Sequence, residues 1–194
     1  FPSQPASSYA DPPPPYFAFL TSVNIPMRRE LALSVSLLHT TLFLALQEVR
    51  KPLDHVIATL AAFGFSILSH SAVPGTDLVQ ALIAVHTALN AQRFRFMTQR
   101  TESHRNLNGC LVDLVDPLGG KLRLINVYNR CDYSLTESDL LGQWIATRMI
   151  RGVRTFVVGD MNIVTKPQCQ SRVISRSLQI REYRELVNGR ITFF

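Results

Sequence analysis

Three cysteines, Cys110, Cys131 and Cys169, are all that 194 residues contain, and none stands in a C-x-x-C or Cys/His spacing. That excludes a disulfide framework and a clustered zinc site, and fits a reducing, intracellular compartment. Long apolar runs are scarce as well. The longest, residues 31–46, is interrupted by His39, Thr40 and Thr41 and falls short of the ~20 residues that span a bilayer, so no membrane partner is expected. No internal repeat is present. The chain starts at Phe1 with its first methionine at Met27, which reads as a piece of a longer polypeptide with no signal segment to interpret.

Acidic residues are also in short supply: 14 Asp and Glu face 20 Lys and Arg, for a net charge of +6. The excess is concentrated at Arg148, Arg151, Arg154, Lys166, Arg172, Arg176, Arg181, Arg184 and Arg190, against Asp160, Glu182 and Glu185. Arginine at this density favours a polyanion such as nucleic acid, because each neutralised phosphate releases condensed counterion. A solvated basic face is the plainer alternative.

A hydrophobic fraction of 46% and a charged fraction of 18% are those of a globular chain, and the length suits one core. Residues 1–15, FPSQPASSYADPPPP, are Pro/Ser-rich and read as a linker or arm in polyproline II. Residues 16–194 are then one domain. Strands are expected over 16–23, 41–46, 65–69, 82–88, 93–98, 107–115 and 121–128, with Gly119-Gly120 turning the last hairpin. Helices are expected over 28–39, 53–62, within 135–150 capped by Thr136 and Asp139, and over 175–187. Short strands beside a few helices make an α+β chain with a mixed sheet sandwich and helices outside.

Several apolar strands end in polar groups. Residues 19–23 run into Asn24, 42–46 into Gln47-Glu48, 122–127 into Tyr128-Asn129, and 156–158 into Gly159-Asp160. Any one alone is more simply a capped turn. Together they place carboxylates and carboxamides at one edge of a core, provided the strands lie side by side. Asp160 and Asn162, spaced i and i+2, share a face in extended backbone. Oxygen ligands without Cys or His suit a hard cation such as Mg²⁺ with substrate phosphate, and the chemistry is then phosphate-ester hydrolysis.

FLTSVN, LALQEVR, LINVYN and VVGDMN, in this order and spacing, resemble the motifs of the endonuclease/exonuclease/phosphatase superfamily. That superfamily includes pancreatic deoxyribonuclease, exonuclease III-like abasic-site endonucleases and the endonuclease domains of non-LTR retrotransposons. The resemblance implies a four-layer α/β/β/α sandwich of two mixed sheets with outer helices, lacking its last strands here. It implies Mg²⁺, or Mn²⁺ in its place, held by Glu48, with Asn24 orienting that glutamate and the phosphate. Asp160 would position or activate the attacking water, Asn162 would contact the phosphate or transition state, and Tyr128 would border the scissile phosphate. Arg50 would contact nucleic acid, DNA foremost, and a retroelement-derived enzyme would work in the nucleus.

The pattern departs from the superfamily at its end. No histidine follows His104, so nothing here supplies the closing Ser-Asp-His motif, and after Asp160 the only carboxylates are Glu182 and Glu185. His39, His55, His70, His86 and His104 precede the second half of the site in helix, strand or loop contexts, and the sequence assigns none of them to it, since His70 or His86 would line the cleft only by folding back. A truncated module of this fold that binds nucleic acid or protein without turnover is the rival reading, and a lipid or inositol-phosphate phosphatase is a second enzymatic one. A partner chain or a further C-terminal segment is expected to complete the sheet across the Phe194 edge.

Overall fold

The computed structural model describes residues 18–24, 41–104, 106–130 and 134–161. The arm expected over 1–15, the helices expected over 28–39 and 175–187, the C-terminal edge and Asn162 lie outside these residues.

The elements in chain order are β1 (Ala18–Asn24), β2 (Thr41–Pro52), α1 (Leu53–Ala62), β3 (Phe65–Ala72), β4 (Leu78–His86), β5 (Met97–His104), β6 (Gly109–Val115), β7 (Lys121–Tyr128), α2 (Leu135–Ala146) and β8 (Arg154–Asp160). They form two four-stranded sheets, ordered β1-β2-β4-β3 and β5-β6-β7-β8. Each is mixed: β1–β2 and β7–β8 are parallel pairs, and the other pairings are antiparallel.

The layers follow from what each strand buries. The inner faces meet through Phe43, Ala81, Ile83 and Val85 of the first sheet and Cys110, Val112, Leu114 and Leu124 of the second. On the outer face of the first sheet, Val56 and Leu60 of α1 cover Leu44, Leu46 and Leu82. On the outer face of the second, Leu141, Trp144 and Ile145 of α2 cover Leu111, Ile125, Val127 and Val157. The result is an α/β/β/α sandwich, and where a strand is covered on both faces, as β2 is from Leu42 to Leu46, it reads as an unbroken apolar run for that reason. Truncating a wholly buried side chain such as Leu60 or Leu82 to alanine costs about 2–5 kcal/mol.

Helix α1 starts directly behind Pro52, and Gly64 stops it with a φ of +80°, a left-handed conformation that glycine adopts without steric penalty. Helix α2 is capped by Ser134 rather than by Thr136 with Asp139. Ser134 Oγ accepts from the Glu137 amide at 3.2 Å while Glu137 Oε2 accepts from the Ser134 amide at 2.8 Å, a reciprocal box two residues ahead of the expected one. The strand expected over 93–98 is also corrected. Asn90–Phe94 form a π-helical turn closed by Arg95 at a φ of +54°, and the Asn90 side chain holds the Phe96 backbone through both of its polar atoms, at 2.9 and 3.0 Å. Strand β5 begins only at Met97 and is an exposed polar edge with no apolar alternation to announce it.

Candidate active site at the carboxyl ends of four strands

Strands β1, β2, β7 and β8 bring their carboxyl ends to one edge of the sandwich. In the parallel registers Asn24 lies opposite Gln47, and Tyr128 opposite Asp160. The two sheets meet there through side chains, since Asn24 Nδ2 donates to Asp160 Oδ2. Of the residues singled out in the sequence, Asn24, Glu48, Tyr128 and Asp160 therefore stand at the same end of the fold, on strands that adjoin.

The backbone at Glu48 is unusual. Glu48 and Arg50 hold φ values of +60° and +49°, a region that non-glycine residues rarely enter, and the β2–β4 register slips between Gln47 and Lys51. Leu44 and Leu46 face α1. After the slip Val49 takes that face, beside Val56 and Leu60, and Glu48 stands one residue past the last β1–β2 pair, half-buried instead of covered by the helix. Arg50 folds back so that its guanidinium lies 3.4 Å from the Glu48 carboxylate. Strained backbone of this kind persists where surrounding structure enforces it, which is commonly at functional sites.

Asp160 is positioned by a different device. Gly159 has a φ of +141°, and a Cβ there would lie 1.9 Å from the Val127 carbonyl oxygen, so only glycine lets β8 close onto β7 immediately before the aspartate. The Asp160 carbonyl then accepts from the Asn129 amide at 2.8 Å, and Asn129 Nδ2 donates to the Met161 carbonyl at 3.0 Å. Ser138 of α2 donates to Asn129 Oδ1 at 3.3 Å. Asn129 closes the LINVYN stretch, where the sequence marks it as a polar strand end but gives a role only to its neighbour Tyr128. Tyr128 itself is buried, 3% exposed, with its amide bonded to the Asn108 carbonyl at 2.7 Å.

Beneath the edge, Gln47 and Asn126 are joined between the sheets, with Gln47 Nε2 donating to Asn126 Oδ1 at 2.6 Å. Gln47 stands out in the sequence only as the neighbour of Glu48, and Asn126 does not stand out at all. The only signal for them is an amide at an inward-facing position of an apolar strand, which needs a partner if it is buried.

On the β3–β5 side of the same end, His70 and His104 line a cleft of about 360 Å³ with Ser103, Asn106 and the loop from Ala72 to Thr76. His104 Nδ1 accepts from the Asn106 and Leu107 amides, at 3.2 and 3.0 Å, which leaves its proton on Nε2. Burial holds both imidazoles below their ordinary pKa, and the Arg148 charge adds to this at His104 while Glu102 opposes it. His86 instead accepts from the Leu89 amide at a helical turn, and packs on Phe65 with ring centroids 5.1 Å apart.

Arg148 does not contribute to a free basic face. Its Nε donates to Glu102 at 2.6 Å and its guanidinium lies 4.7 Å from the Trp144 ring centre, so its charge is spent tying β5 to α2. Of the other clustered cations, Arg151 and Arg154 are exposed and the rest lie outside the described residues.

The described residues that could hold a divalent cation are Glu48, with Asn24 beside it on the same sheet and Asp160 across the sheet boundary. Among the described residues no group of three or more His, Cys, Asp or Glu converges. Mg²⁺ is commonly held by one or two carboxylates together with water and substrate oxygens. No described helix is long and apolar enough to cross a membrane.

No family model and no curated protein matches the chain. Among solved structures, the AP endonuclease LMAP from Leishmania major superposes with a TM-score of 0.52 at 14% identity, over 75% of this chain and 57% of that one. ANGEL2, a 2',3'-cyclic phosphatase, gives a TM-score of 0.44 at 17% identity, over 68% of this chain and 42% of its own. Cimex nitrophorin, in a ferrous NO complex, gives 0.44 at 12% identity over 86% and 70%. The last two likenesses are too loose to carry weight. The chain spans less than two thirds of the length of the phosphatase and the endonuclease. At such identity the likeness to LMAP speaks for architecture alone, and with the two mixed sheets and their outer helices it identifies the endonuclease/exonuclease/phosphatase fold.

Proposed function

We propose that this chain hydrolyses phosphodiester bonds in nucleic acid, DNA foremost, as a Mg²⁺-dependent endonuclease of the retroelement type acting in the nucleus. The observation that carries the reading is the Asn24–Asp160 hydrogen bond at the ends of four strands, with Glu48 on the neighbouring strand. When bound, Mg²⁺ or Mn²⁺ supplies positive charge that stabilises the phosphate and the leaving oxygen. Glu48 is the residue that would hold it.

Asp160 is the general base in this reading. Asn24 fixes one carboxylate oxygen as a hydrogen-bond acceptor, which orients the group towards a water at the strand ends. Arg50 lends positive charge at the same rim to a backbone phosphate, and the net charge of +6 favours a polyanionic substrate overall. Asn162 joins the site by its place two residues beyond Asp160.

Plasmid nicking with Mg²⁺ tests the reading, comparing wild type with Glu48→Ala and Asp160→Ala. Each substitution is expected to lower the rate by about 10³-fold. A wild type that binds DNA without nicking it would favour the non-catalytic module, and phosphate release from soluble inositol phosphates would favour the phosphatase. Rates unchanged by both substitutions would overturn the site.

A further inference from the structure

The candidate site is divided between two sheets, with Asn24 and Glu48 on one and Tyr128 and Asp160 on the other. Apolar packing between the inner faces sets their spacing but has no direction, so by itself it does not fix how far one sheet slides along the other. Polar contacts between the sheets supply that direction, and one buried side chain makes three of them.

Asn126 of β7 is wholly buried between the sheets. Its Oδ1 accepts from Gln47 Nε2 at 2.6 Å, and its Nδ2 donates to the Leu46 and Leu82 carbonyls at 2.9 and 2.8 Å. Gln47 Nε2 also donates to Ser22 Oγ at 3.0 Å. A single carboxamide thus grips β2 and β4 directly, and reaches β1 through Gln47. Both ends of the link adjoin the site. Gln47 precedes Glu48 and pairs with Asn24, while Asn126 lies two residues before Tyr128 and pairs with Val158, two before Asp160.

We infer that Asn126 is a positioning residue, which locks the second sheet against the first and so holds Asp160 in place relative to Glu48. A buried amide costs folding free energy unless it is satisfied, and a leucine would fill this apolar interior without that requirement. What the amide adds is a fixed register between the sheets.

The kinetic arm of the test rests on the phosphodiesterase reading, and the spectroscopic arm does not. In the full chain, Asn126→Leu leaves the buried Gln47 amide one acceptor short and the Leu46 and Leu82 carbonyls without this donor, and lowers the melting temperature. The double variant Gln47→Leu/Asn126→Leu removes the Gln47 part of that deficit and recovers part of the loss. In metal-free amide spectra of the double variant, signals of Asn24, Glu48, Tyr128 and Asp160 are expected to broaden or double, while those of α1 and α2 stay in place. In Mg²⁺-dependent nicking its kcat is expected to fall ~100-fold with KM for DNA within about twofold, the signature of misplaced groups. Asn126→Ala removes the same three bonds without added bulk and serves where the Asn126→Leu chains do not fold. Unmoved site signals, or a kcat that recovers along with the melting temperature, would overturn the inference. A wild type that nicks nothing sinks the phosphodiesterase reading, and the spectra still decide this one.

Discussion

Asn24 at the end of β1 and Asp160 at the end of β8 are hydrogen-bonded although 136 residues separate them in the chain. The donor is a carboxamide with no titrating proton, so the bond fixes the carboxylate's orientation at any pH at which the carboxylate is ionised. Asn24 is exposed at the sheet edge, and its contribution is to the site more than to the core.

Asn24→Ala is therefore expected to lower the cleavage rate by about 10²-fold while changing stability by less than about 0.5 kcal/mol. Parallel nicking assays and urea melts check this. A large stability loss with an unaffected rate in the folded fraction would show that the bond serves folding instead.

Gly159→Ala places a Cβ against the Val127 carbonyl, 1.9 Å away, at a φ of +141°. Backbone cannot yield there without breaking the β7–β8 pairing, so a loss of at least about 3 kcal/mol is expected. Circular dichroism through a thermal melt reads it directly. An alanine variant that melts with the wild type would refute the close approach.

Arg50→Gly should act in two directions at once. Relief of the left-handed strain at a φ of +49° is expected to raise stability by about 1 kcal/mol, and loss of the guanidinium beside Glu48 to weaken binding of a DNA duplex. A denaturant midpoint that falls would mean that the arginine's contacts outweigh its backbone strain.

His70 and His104 predict a pH dependence of stability. Burial depresses both imidazoles from an ordinary value of 6.5, so below that value the unfolded chain binds protons that the native chain resists. Their contribution is present above pH 6.5 and is lost as pH falls through the depressed values. Glu102 does not confuse the measurement. Burial acts to raise its carboxyl, but the Arg148 hydrogen bond and charge, the Trp144 hydrogen bond and the Arg100 charge together outweigh burial and hold it below its ordinary value, away from the histidine range. The drop in melting temperature between about pH 7.5 and 5.5 should be smaller in His70→Gln than in wild type, and equal drops would contradict the burial of His70.

What the sequence made legible follows from burial. Strand β7 and helix α1 fall on the residues expected of them, because a strand rich in Leu, Ile and Val directly after a Gly-Gly turn and a helix behind proline and ahead of glycine are both punctuated in the sequence. Strand β5 was missed because an edge strand exposed along most of its length has no pattern to show. The left-handed backbone at Glu48 and Arg50 was hidden for another reason: neither residue type favours it, and it is imposed by the register slip against β4. The pairing of Gln47 with Asn126 is a tertiary fact, since each amide is visible but nothing local ties them across 79 residues. Asn162 and the residues after it lie outside the described part, and the expectations placed on them stand as they were.

The pairing of β1 with the first sheet and of β8 with the second has a consequence in time. Asn24 and Glu48 are made early in synthesis, and the base that would act with them arrives only when β8 has left the ribosome and docked. A nascent chain paused between the end of β4 and Asp160 holds all four strands of its first sheet and still carries an unarmed edge. Competence to cut would then report that the second sheet has been completed as far as β8.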